Sequence, residues 1–161
     1  MDFPIISGDV SLDMLTASDE SEYARLCRDK ETNKYWGYNY KDDNPDAPDS
    51  YFLDTSISER ERGTAISLAV RYMGQFCGEA ILYAFDFRGG AEYAIRLLPE
   101  FRGKKIGSSA LDLMLDFCRQ VGMKKLYTTI SKENIASRKA YEKRFALIEE
   151  NDKILRFSLD L

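Results

Sequence analysis

The sequence predicts one α/β domain over residues 1–161, α+β in layout, with a central mixed, mostly antiparallel sheet of about seven strands flanked by helices. Three observations lead there. The runs "AISLAVRYM", "EAILYAFDF" and "EYAIRLL" alternate apolar and polar residues and are parted by "GQFCG" and "RGGA", the punctuation of an antiparallel meander. A helix-periodic run then links "EYAIRLL" to the strand-like "KKLYTTIS", a strand-helix-strand crossover that gives the sheet its mixed character. The 161 residues, 44% of them hydrophobic, are enough for one buried core and no more.

Taken in order, "DVSLDML" alternates as a first strand. Cap-type and acidic residues follow, with Tyr23, Leu26 and Cys27 at helical spacing, so one or two short helices come next. "KDDNPDAPDS" reads as an acidic, proline-bearing loop inside the domain, and "YFLDTSISERERG" as a helix ending near Gly63. After the meander, Leu111, Met114, Leu115, Cys118 and Val121 mark one face of a helix that Gly122 terminates. "KKLYTTIS" is a buried strand, "ENIASRKAYEKRF" a helix with Asn134 as its cap, and "ALIEENDKILRFSLDL" a closing hairpin with "ENDK" at the turn.

Composition narrows the function. A net charge of -4 argues against a general nucleic-acid binder, and an acidic field favours a cationic partner only weakly, since it serves solubility first. Cys27, Cys77 and Cys118 are odd in number and widely spaced, so neither a disulfide framework nor a zinc site is expected, and reduced cysteines fit the cytoplasm. No signal-peptide pattern or membrane-length apolar stretch is present. The chain has no histidine at all, which removes the commonest general base and metal ligand. Its chemistry is left to carboxylates, tyrosine, lysine or backbone, with no metal.

The most informative stretch is "EFRGKKIGSS", residues 100–109, where a strand gives way to a helix. A helix start leaves its first amides unpaired and carries partial positive charge, so it holds phosphate oxygens well. Gly103 and Gly107 allow close backbone approach, and Arg102, Lys104 and Lys105 add cations. The stretch matches neither a P-loop nor a dinucleotide fingerprint, and on its own it also reads as a glycine turn with solvated lysines.

Residues 91–145 resemble the GNAT superfamily of acyl-CoA-dependent N-acyltransferases. The likeness rests on two signatures in order: an Arg/Gln-x-x-Gly-x-Gly/Ala loop, matched by Arg102 and Gly107, and an Asn-x-x-Ser/Ala-x-x-x-Tyr-Glu-Lys helix, matched by Asn134, Ser137, Tyr141, Glu142 and Lys143. With "NKYWGY" earlier in the chain, the sequence looks most like the ribosomal-protein Nα-acetyltransferase and polyamine acetyltransferase branch. There are two departures. Lys105 stands where the family has its middle glycine, and a right-handed conformation in the first helical turn, with the amide given to phosphate, would spare it the cost of positive φ. Phe145 stands in the glycine place of the second motif, which puts the helix exit and the acceptor end of the pocket in question.

The resemblance implies acetyl-CoA as cosubstrate and direct attack by a primary amine, from a small molecule or a protein N-terminus, in a ternary complex. It assigns the cofactor to Leu97, Leu98, Arg102, Gly103, Lys104, Lys105, Ile106, Gly107, Ser108, Asn134 and Ser137, with the amide of Leu97 or Leu98 as oxyanion donor. Asn134 and Ser137 either contact the pantetheine arm or cap their helix. Tyr141 takes the place of the proton donor to the leaving thiolate, against the alternative of a packed core tyrosine. Glu92 is the first choice of base and Glu79 the second, though either could be an ordinary strand glutamate. Tyr35, Trp36 and Tyr38 would shape the acceptor pocket. The rivals are a CoA-binding sensor or scaffold without catalysis, and a nucleic-acid binder using "RGKK", "MKK" and "SRKAYEKR" as a basic face. No membrane partner is expected, and the oligomeric state is open, a homodimer among the options.

Overall fold

The computed structural model describes residues 2–36 and 46–161. The sheet has eight strands, β1 (Ile5–Ser7), β2 (Val10–Met14), β3 (Ala65–Tyr72), β4 (Gln75–Tyr83), β5 (Gly90–Leu97), β6 (Lys125–Ser131), β7 (Ala146–Glu150) and β8 (Ile154–Asp160), in the order β1-β2-β3-β4-β5-β6-β8-β7. Every neighbouring pair is antiparallel except β5 and β6. Among the described residues five helices join them: α1 (Glu20–Arg28), α2 (Lys30–Asn33), α3 (Asp49–Glu61), α4 (Ile106–Gln120) and α5 (Ile135–Glu142). The extra strand over the expected seven is β1, which is too short for an alternating pattern, pairs with β2 and packs Ile5 on the core.

The meander differs from expectation at one turn. Met73 and Gly74 alone make it, both at positive φ (50° and 81°) with Tyr72 opposite Gln75, as a two-residue hairpin loop requires. "QFCG" is therefore strand and not loop. At the closing hairpin the Asn151 side chain accepts from the amides of Lys153 and Ile154, at 2.8 and 2.9 Å, so a local Asx turn reverses the chain where "ENDK" was read as the turn.

Alternation along the strands sorts the two faces. Glu79 and Arg96 point to the side covered by α1 and α3, where the Tyr23 hydroxyl meets both Ser56 and Glu79. Tyr93, Thr128 and Phe157 point to the side of α4 and α5, meeting Cys118 and Tyr141. The core between these layers includes Leu12, Leu68, Leu82, Leu98, Ile106 and Leu126, all essentially inaccessible to water. All three cysteines are buried, and none is in a disulfide.

Candidate active site

The site begins with a parting of two strands. β5 and β6 pair only from Gly90 to Glu92 against Lys125 to Tyr127, and beyond that register they diverge. Leu98 donates its amide to the Cys77 carbonyl of β4 at 2.9 Å. Hydrogen-bonded and non-hydrogen-bonded residues alternate in an antiparallel ladder, so the amide of Leu97, opposite Gly78, faces away from β4 and into the parting. Gly78 makes this register possible. A Cβ there would lie 2.3 Å from the Arg96 carbonyl oxygen and 3.0 Å from the Leu97 Cα, so only glycine fits.

The chain then turns through Pro99–Phe101 and enters α4. Gly103 has φ of 75°, and Lys105 is left-handed, with φ of 61° and ψ of 12°. This overturns the right-handed conformation expected for Lys105. The loop needs a left-handed residue to swing into the helix, a form that costs an L-residue about 1–2 kcal/mol, and the lysine adopts it regardless. The first α4 backbone bond runs from the Ser109 amide to the Lys105 carbonyl, which leaves the amides of Ile106, Gly107 and Ser108 without helical partners. The left-handed residue followed by helical ones turns these amides toward one concavity, the form of an anion-binding nest. A Cβ on Gly107 would meet nothing within 4 Å.

These amides open on a cleft of about 800 Å³, a volume ordinary for a cosubstrate site. Of the expected cofactor residues, Leu97, Arg102, Gly103, Lys105, Ile106, Gly107, Ser108, Asn134 and Ser137 line it, as does Tyr141. Leu98 and Lys104 do not. Leu98 is wholly buried with its amide already paired, and the Lys104 ammonium lies 5.8 Å from both the Tyr72 and Phe101 rings. Lys34, Lys143 and Arg144 line the cleft without having been assigned to the cofactor, while Glu31 is its one carboxylate among the described residues. Lys143 and Arg144 were legible in the sequence as the basic end of the second motif, but nothing local says that α5 brings them beside α4.

On the α5 side, the Asn134 side chain accepts from the Ser137 amide at 3.3 Å, so it caps its helix. Tyr141 is buried, and burial pushes its phenol up to about 12, partly offset by a hydrogen bond with Thr128. Phe145, in the place of the family's glycine, is also buried. Its ring meets that of Tyr141 edge-on at 5.4 Å, and its backbone is not left-handed.

Neither carboxylate proposed as base lines the cleft. Glu92 accepts from Arg156 Nε and Nη2 on one oxygen, at 3.0 and 2.6 Å, and from Thr129 at 3.3 Å on the other. Glu79 is fully buried and ion-paired with Arg96 at 2.8 Å. Tyr35 and Trp36 do line the cleft, and Tyr38 lies outside the described residues. Thr32 ties α2 to the site: its hydroxyl donates to the Leu97 carbonyl at 3.1 Å and accepts from Arg102 at 3.1 Å.

A mostly antiparallel sheet that parts at its one parallel pair, with unpaired amides at the mouth of the gap, defines a class of α/β proteins whose cleft suits an anionic group such as a phosphate. The sequence matches the family model of the acetyltransferase (GNAT) domain over residues 9–144. The chain belongs to this family, and with it to the acetyl-CoA-dependent N-acetyltransferases. Among solved structures it is similar to the spermidine N-acetyltransferase from Vibrio cholerae in complex with CoA and spermine, at TM-score 0.81 and 17% identity, covering 94% of this chain and 95% of that one. It is equally similar to RimL, the ribosomal L7/L12 alpha-N-protein acetyltransferase in complex with coenzyme A, at TM-score 0.82 and 14% identity, covering 99% and 98%. RimJ of Mycobacterium smegmatis follows at TM-score 0.78 and 16% identity, covering 94% of this chain and 81% of that one. These match the branch that the sequence resembles. No curated protein matches the sequence. Among the described residues no helix is long and apolar enough to cross a membrane, and no cluster of side chains could hold a metal.

Proposed function

We propose that this protein transfers the acetyl group of acetyl-CoA to a primary amine, on a small molecule or a protein N-terminus, by direct attack in a ternary complex. The observation that carries the reading is the convergence on one cleft of the unpaired amides of Ile106, Gly107 and Ser108 and the outward amide of Leu97. Fit supports it too: a Cβ-free opening at Gly107 and cations at Arg102 and Lys105 suit a diphosphate.

Acetyl-CoA supplies, when bound, an activated carbonyl and a thiolate leaving group. The residues of this chain do the rest. Arg102, the α4 amides and Lys105 hold the phosphates, and Lys143 adds positive charge at the end of α5, where Arg144 is paired with Asp112. The Leu97 amide is a fixed donor for negative charge developing on the carbonyl oxygen. As the amine nitrogen bonds to the carbonyl carbon, the carbon–sulfur bond breaks and the sulfur takes up charge. Tyr141 keeps its proton throughout the neutral range. It hydrogen-bonds the sulfur as charge builds there and can give its proton to the leaving thiolate. Neither Glu92 nor Glu79 reaches the cleft, so the amine's proton leaves to water or to Glu31, the carboxylate that lines it among the described residues.

The structural relatives that act on spermidine and on a ribosomal-protein N-terminus support an amine acceptor of either kind. The cytoplasm, where acetyl-CoA and reduced thiols coexist, is the compartment we propose. A binding-only scaffold loses its main support, because Phe145 sits on ordinary backbone and packs on Tyr141 without displacing it from the cleft wall. The test is thiol release from acetyl-CoA with a pooled panel of polyamines, amino acids and free-N-terminal peptides, alongside calorimetry with CoA. Tight CoA binding with no turnover on any amine would restore the scaffold reading, and no CoA binding would end both.

A further inference from the structure

Arg96 is buried, precedes the outward-facing Leu97 amide, and has no part in the chemistry above. Its guanidinium is nonetheless held from several sides. Nε and Nη2 reach the same Glu79 oxygen at 2.9 and 2.8 Å, Nη2 reaches Cys27 Sγ at 3.1 Å, and Nη1 donates to the Asn33 side chain. Asn33 in turn donates to the carbonyls of Leu26, Cys27 and Asp29, which close the end of α1. On its face the guanidinium stacks over Trp36, with Cζ 4.4 Å from the ring centroid. One side chain thus joins β4, β5, α1 and α2 to the indole that lines the α2 end of the cleft.

A buried ion pair adds little to stability over apolar side chains of similar volume, so stability alone does not account for Arg96 and Glu79. What the pair supplies is a planar cation, fixed in orientation by its fork, that an aromatic ring can rest on. The cofactor end of the cleft is built from other groups, the loop and the first turn of α4. The Arg96 network reaches the opposite wall through Trp36, and it meets the cofactor side where Thr32, beside Asn33 on α2, accepts from Arg102.

We propose that Arg96 is a positioning residue for the amine acceptor: held by Glu79 and Asn33, it fixes the Trp36 ring as the acceptor-side wall of the cleft. The proposal rests on the acetyl-transfer reading for the word acceptor, but the fixing of Trp36 is measurable without turnover. Trp36 is the chain's single tryptophan, so its fluorescence reports on this wall alone.

Two variants separate position from fold. Arg96→Lys keeps a charge for Glu79 but loses the planar fork. The double variant Arg96→Met/Glu79→Leu removes both charges together and leaves neither one buried alone. The readouts are acrylamide quenching of Trp36, CoA affinity by calorimetry, and kcat and KM for two amine probes, spermidine and a short peptide with a free N-terminus. In both variants we expect CoA affinity within about twofold of wild type, quenching raised about twofold or more, and KM for the better probe raised on the order of tenfold with a smaller loss in kcat. A folded variant with unchanged quenching overturns the proposal, as does one with unchanged amine KM. Failure of both variants to fold also overturns it, because Arg96 would then be structural. Should the wild type bind CoA yet acetylate neither probe, the quenching result still decides whether Arg96 fixes the wall. Should it bind no CoA, the acetyl-transfer reading falls by itself.

Discussion

Gly78→Ala tests the donor geometry at its narrowest point. The added Cβ would sit 2.3 Å from the Arg96 carbonyl oxygen, 2.7 Å from Leu97 Cδ2 and 3.0 Å from Leu97 Cα. The Leu97 side chain can rotate aside, but the carbonyl and the Cα belong to the backbone. Restoring ordinary contact therefore takes a relative movement of β4 and β5 of about 1 Å at the residue whose amide faces the cleft. Overpacking of this kind costs about 1–3 kcal/mol of stability. A misplacement of about 1 Å in a catalytic group costs on the order of 100-fold in rate. The cofactor grip lies in the loop and in α4, so it should change much less. The assay pairs kcat at saturating acetyl-CoA and amine with calorimetric CoA affinity and a thermal melt. The expected result is a variant that still folds and binds CoA, with kcat reduced by one to two orders of magnitude. A folded Gly78→Ala enzyme with wild-type kcat would mean that Leu97 does not supply the oxyanion donor.

Lys105→Gly should raise the stability of the ligand-free protein, since relief of about 1–2 kcal/mol of left-handed strain exceeds the roughly 0.5–1 kcal/mol entropic cost of glycine; CoA affinity should fall several-fold and depend less on salt, and an unchanged affinity removes the ammonium from the phosphate site. Tyr141→Phe should lower kcat by about 10- to 100-fold with CoA affinity nearly intact. Because burial holds the Tyr141 phenol at about 12, the wild-type rate should show no alkaline loss from this group through pH 10, and a limb centred near pH 8 would assign the control to another residue. Gly107→Trp should project an indole into open space and weaken CoA by about tenfold or more, and unaltered calorimetry would place the diphosphate elsewhere.

What the sequence shows of this fold is what short-range pattern encodes. The meander, the crossover helix and the closing hairpin follow from apolar periods of two and 3.6 residues, and their turns from glycine and asparagine. "GQFCG" was misread because a glycine needed for closeness looks the same in sequence as one needed for a turn. Gly74 turns the chain with φ of 81°, whereas Gly78 has no need of positive φ and serves by having no side chain beside Leu97. The cleft was legible where a motif is local, as at Arg102 to Ser108 and Asn134 to Tyr141. It was illegible where partners are remote. Glu92 reads as an ordinary strand glutamate until the register of β6 and β8 brings Arg156 against it, and no local pattern marks Arg96, which α1 and α2 bury.

The two departures from the family pattern have opposite physical consequences. At Phe145 the backbone is not left-handed, so the larger side chain costs no strain and fills space against Tyr141. At Lys105 a lysine holds a conformation that favours glycine, with φ of 61°. A residue strained in this way persists only where its surroundings fix the backbone, and such sites cluster where ligands bind. The three unpaired amides that follow Lys105 depend on that turn of the chain for their common direction. Phosphate binding would then hold the loop in the form the strain opposes, and the lysine would return part of its cost through its charge. Strain and affinity are on this account two sides of one residue, which is why Lys105→Gly should move stability and CoA affinity in opposite directions, and why a variant that moved both the same way would break the link between them.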